Sequence, residues 1–77
     1  MQTKDIYLAA TAMCLGLKLL GGDRKNEDGP VYFMFRGPQE VWDKLQSAWL
    51  NNEPITLRPA TFSAHIRALK TLVHERT

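Results

Sequence analysis

Val31-Tyr32-Phe33-Met34-Phe35 is the stretch whose reading decides the fold. It is dense in aromatic and β-branched residues, which suit a pleated surface. Alternation sends Val31, Phe33 and Phe35 to one face and Tyr32, Met34 and Arg36 to the other. A strand needs a partner, and Leu17-Lys18-Leu19-Leu20 upstream reads as one. Residues 21–30 between them are glycine-rich and charged, with no large apolar side chain, and read as a long solvated turn. The pair makes an antiparallel hairpin. A lone hairpin is marginal in water, so other elements must cover it.

Three helices are available for that cover. Near the start, Ile6, Ala9, Ala10, Met13 and Leu17 follow three-four spacing, while Leu8, Ala12 and Leu15 fill the opposite side. Thr3 or Asp5 can cap the start of this helix, and Gly16 suits its end. A helix apolar nearly all round is covered on more than one side. In so short a chain, a second protomer is the expected cover for one side. After the hairpin, Gly37-Pro38 opens a helix with the inner stripe Val41, Trp42, Leu45, Ala48 and Trp49. Glu40 and Lys44 stand four apart on its outer side. Asn51-Asn52-Glu53-Pro54 breaks it. Residues 55–57 read equally as an extended connector or a third strand. Pro59 or Thr61 starts the last helix, with Phe62, Ile66, Leu69 and Val73 inward and His65 and Leu72 beside them. The expectation is one α+β domain over residues 1–77, an antiparallel hairpin packed with three helices in the order α-β-β-α-α.

Composition narrows the classes further. Seventy-seven residues support one small core. Small domains usually add a disulfide, a metal or a partner chain. Cys14 is the only cysteine, so no internal disulfide forms, and a partner chain becomes the expected staple. Ten Lys and Arg against eight Asp and Glu give +2, well short of a dedicated nucleic-acid binder. A hydrophobic share of 44% argues against wholesale disorder. No run approaches the ~20 apolar residues of a membrane span, and the first residues do not read as a signal peptide. One unpaired cysteine fits a reducing compartment, so a cytoplasmic protein is expected.

Chemistry-bearing motifs are scarce. His65 and His74 lie nine positions apart, on opposite sides of one helix, and cannot chelate one metal together. Cys14 lies in an apolar helix, where a thiol ionises poorly. Glu40 and Asp43 sit at a helix start, where negative charge is favourable without any catalytic role. The acids of the turn, Asp23, Glu27 and Asp28, lack the spacing of a calcium loop. Neither Gly21-Gly22 nor Gly37-Pro38 matches a phosphate-binding loop. No catalytic residue, metal or cofactor is expected. One polar pattern remains: Arg67, Lys70 and His74 recur opposite the apolar stripe of the last helix, between Arg58 and Arg76. From residue 54 onward the only acid is Glu75. Such a face is usually just solvated, but it can also neutralise phosphates.

Several landmarks carry a resemblance. Asp5, Tyr7, Leu8 and Ala9 open a helix that ends at Gly16. Tyr32-Phe33-Met34-Phe35 forms the aromatic strand, Trp49 closes the next helix, and Leu69-Lys70 lies in the last. Together these resemble a family of short prokaryotic and phage proteins of uncharacterised function. The resemblance spans nearly the whole chain and rests on packing residues and turn glycines. It implies a small intracellular protein and brings no activity, cofactor or catalytic residue.

The functional expectation is therefore a small non-enzymatic binding protein acting through a protein surface, as a homodimer or with another protein. Ile6, Leu8, Ala12, Leu15, Tyr32 and Met34 are the interface candidates. The alternative is a nucleic-acid-binding module using Arg58, Arg67, Lys70 and Arg76. No membrane partner is expected.

Overall fold

The aromatic strand sits at the middle of a three-stranded antiparallel sheet in the computed structural model, which describes residues 1–24 and 26–75. The central strand is β3 (Val31–Arg36), with β1 (Gln2–Thr3) on one side and β2 (Lys18–Arg24) on the other. The helices are α1 (Ile6–Cys14), α2 (Gln39–Leu50) and α3 (Pro59–Glu75). The α+β class holds, and the order is β-α-β-β-α-α. The expected order lacked the first strand.

That strand is built by backbone rather than by side-chain pattern. Gln2 pairs with Met34, Thr3 pairs with Phe33, and the Phe35 N–H donates to the Met1 carbonyl at 2.8 Å. Two polar residues show no alternation to read, so the sequence does not announce them. The third strand is thus at the start of the chain. Residues 55–57 form no strand; they are a connector whose Ile55 and Leu57 are half-buried.

β2 also runs further than expected. Gly21 pairs with Met34, Gly22 with Phe33, Asp23 with Tyr32 and Arg24 with Val31, after a bulge between Leu19 and Gly21. Gly22 is in the strand because packing leaves no room for more. A Cβ there would lie 2.8 Å from Val31 Cγ1 and 3.3 Å from Leu72 Cδ2. The missing side chain lets α3 press onto the sheet. Among the described residues, 26–30 lie between the two strands.

The expected facing of β3 is correct. Val31, Phe33 and Phe35 are buried, and the Phe35 ring lies 5.9 Å from that of Trp42 at a 30° tilt. Leu17, Leu45 and Leu69 complete this side of the core.

α1 begins where Asp5 Oδ1 accepts from the Tyr7 N–H at 2.9 Å and the Leu8 N–H at 3.2 Å. Thr3 Oγ1 accepts from the Asp5 N–H at 3.1 Å, joining strand to cap. At its end Gly16 adopts φ +93°. Its N–H donates to the Met13 carbonyl and the Leu17 N–H to that of Ala12, each at 3.1 Å. These two bonds make a Schellman cap and satisfy carbonyls the helix leaves open.

One expectation about α1 is overturned. Ala9, Ala10 and Ala12 are 0% exposed within a single chain, and Leu8 and Thr11 are also buried. α3 packs along α1, and α2 and β1 close other sides. Alanine side chains let a neighbouring backbone approach closely, so three elements share one short helix. No second protomer is needed to cover it.

Gly22→Ala should lower stability by about 1–3 kcal/mol, the usual cost of overpacking. In a Val31→Ala background the same change should cost less, because the nearest clash is gone. Urea denaturation of the four proteins checks this; an equal cost in both backgrounds would contradict the close packing.

Candidate binding surfaces

α2 covers the core incompletely. Trp42 and Leu45 are buried and Val41 and Ala48 half-buried, as an inner stripe requires. The last two residues depart from it. Trp49 is 38% exposed and Leu50 87% exposed. Adjacent positions on a helix turn by about 100°, so Trp49 and Leu50 cannot both face inward. A second Schellman cap then turns the chain away. Asn52 adopts φ +55°, its N–H donates to the Trp49 carbonyl at 3.3 Å, and the Glu53 N–H donates to that of Ala48 at 2.8 Å. Leu50 is left standing at the corner.

Clefts lie on several sides of this corner. One, about 480 Å³, runs between Ala48, Trp49, Asn52, Glu53, the connector residues Ile55 and Leu57, and Phe62 of α3, with Thr11 among its lining residues. A second, about 260 Å³, is lined by Leu8, Gln46, Trp49 and Leu50. A third of about 260 Å³ lies between Leu15, Val41 and Ile55. Trp49 is thus a wall shared by two clefts, and Leu50 is a knob beside one of them. A contiguous apolar surface of this kind marks an interaction site more often than a scattered exposed leucine does. Two large apolar residues ending a helix were the available signal for Leu50, which the inner-stripe reading left aside.

The expected interface residues separate. Ala12 is wholly covered by its own chain, so the interface role expected for it is corrected, whereas Leu8 is buried in the core and also lines the cleft beside Leu50. Ile6 is half-buried and Leu15 is 41% exposed at the edge of α2. Tyr32 and Met34 are half-buried on the outer face of the sheet, opposite Asp23 and Gly21 of β2.

Among the basic residues, Arg58, Arg67 and Lys70 are exposed. Arg76 lies outside the described residues. His65 is half-buried and His74 exposed in the last turn of α3. On α2, Gln39 Nε2 donates to Asp43 Oδ1 at 2.9 Å.

Cys14 is half-buried and lines a cleft of about 320 Å³ with Leu57, Arg58 and Thr61. Burial raises its thiol above the ordinary value of 9.0, which reduces the thiolate at neutral pH. Among the described residues no three His, Cys, Asp or Glu side chains come together as a metal site. Among them, no helix is long and apolar enough to cross a membrane. No family model, curated protein or solved structure matches the chain.

Because burial disfavours its thiolate, Cys14 should react with a thiol reagent at pH 8 several-fold more slowly in the folded chain than in urea. Its rate should still be rising above pH 9. Equal rates folded and unfolded would contradict the burial.

Proposed function

We infer that this chain is a small binding protein without catalytic chemistry of its own, and that it pairs with a second copy of itself through the corner of α2. The observation that carries this reading is Leu50, 87% exposed beside Trp49 and next to an apolar cleft. A knob adjacent to a hole on one surface is what two-fold pairing uses, because each copy fills the other. Another protein presenting a leucine would use the same feature.

Several observations favour binding over catalysis. The cleft beside Leu50 is largely apolar, Cys14 ionises poorly, and the cleft at Cys14 holds no histidine. An exposed arginine is the one ionisable neighbour lining that cleft. A half-buried free thiol suits a reducing compartment, which supports a cytoplasmic setting.

Magnitudes set the expected strength. Burying one leucine is worth about 1.5–3 kcal/mol. In a two-fold pair Leu50 and Trp49 each count twice, for a gross gain on the order of 8–10 kcal/mol. Association itself costs at least ~4 kcal/mol. The pair is therefore weak, micromolar at best and concentration-dependent.

Sedimentation equilibrium should detect a reversible dimer between about 10 and 300 μM. Leu50→Glu should abolish it while leaving the thermal midpoint of the monomer unchanged, since Leu50 packs on little within the chain. A monomer throughout that range, or a dimer indifferent to Leu50→Glu, would contradict this reading.

A further inference from the structure

A different surface carries a second partner. We propose that the outward face of α3 docks on the phosphate backbone of duplex nucleic acid, through Arg67 and Lys70. This does not depend on pairing at α2.

Geometry comes first. At about 100° per residue, Ala60, Ser63, Ala64, Lys70 and Thr71 all lie within about 60° of Arg67. All are exposed, while Leu69 on the opposite side is buried. The exposed face therefore has two cations near its middle, small side chains around them, and His74 about 20° from Arg67 toward its far end. The apolar face of the same helix is committed to α1 and β2. α3 is 17 residues long, roughly 25 Å, which spans a duplex groove.

Charge points the same way. From residue 54 to residue 75 the only acid is Glu75, at the far end. Arg58, Arg67 and Lys70 have no ion-pair partner among the described residues, so their charge is available. Fold stability gives little reason to keep two unpaired cations at the centre of an exposed face. Dipole complementarity would favour cations in the last turn of α3, and Arg67 lies well before it.

The same features discriminate between polyanions. No large apolar residue projects from this face, so nothing on it would insert into a bilayer. Its one aromatic ring, His74, lies near the end of the helix, whereas a single strand needs successive rings to stack its bases. Small side chains around the cations let the helix approach closely, which a duplex groove requires. Two cations among small side chains predict binding that depends on salt and little on sequence.

The test is fluorescence anisotropy of a labelled 20-base-pair DNA duplex titrated with the whole chain. At 50 mM salt, binding should appear at high micromolar protein and weaken with a logarithmic salt slope of about −2, from two phosphate contacts. Arg67→Ala/Lys70→Ala should weaken it at least tenfold and reduce the slope by about 2, with the thermal midpoint unchanged. Lys18→Ala/Arg36→Ala removes the same charge from the outer face of the sheet and should weaken binding less than threefold. No binding at 100 μM protein and 50 mM salt would overturn the proposal. So would equal losses in the two double variants, which would mean general attraction, or tighter binding to vesicles of 30% phosphatidylglycerol than to DNA.

Discussion

The burial of a nine-residue helix built largely of small side chains is the constraint on which the rest of this structure depends. α1 touches α3, α2 and β1, and its three central alanines are wholly covered. Bulkier residues there would hold the neighbours apart and leave a three-element junction with voids, each costly in a small core. The two ends of α1 are fixed accordingly. Asp5 caps the start and ties it to β1 through Thr3, and Gly16 turns the end so that Leu17 enters the core. The sheet, the cap and the turn all serve to enclose one helix.

Much of this was legible from residue spacing. The alternation around Phe33 identified the central strand and its buried face. The three-four spacing located all three helices, and Gly16 marked a helix end. The parts that could not be read share a cause: backbone, not side chains, defines them. β1 is two polar residues held by ladder bonds to β3. Gly21 and Gly22 have turn-like composition, yet both lie in a strand, where Gly21 adopts φ +146° and Val31 and Leu72 occupy the space a Cβ on Gly22 would take. The apolar circumference of α1 correctly signalled cover on more than one side. It could not tell whether that cover came from the same chain or from another.

That distinction relocates the candidate site. With the alanines of α1 enclosed, the most exposed large apolar residue is Leu50 at the corner of α2, where it follows Trp49 and the chain turns away at Asn52. Local geometry explains why: the inner stripe of α2 ends with Ala48, and a helix cannot direct consecutive residues to one side. The basic pattern of α3 was legible earlier, because charge and helical period are both written in the sequence. The fold adds that the opposite face of α3 is spent on the core, which leaves Arg67 and Lys70 outward. The two surfaces differ in chemistry, one apolar and notched, the other cationic and smooth. A chain with both could join a protein contact to a nucleic acid.

Amide hydrogen exchange at 5 μM and 300 μM protein tests most directly whether α1 is enclosed by its own chain. The amides of Ala9, Ala10 and Ala12 should exchange only through global unfolding, at the same rate at both concentrations, while any added protection at 300 μM falls on the amides of Trp49 to Glu53. Rapid exchange of the α1 amides in the dilute sample, slowed on concentration, would mean that this helix is covered by a second molecule after all.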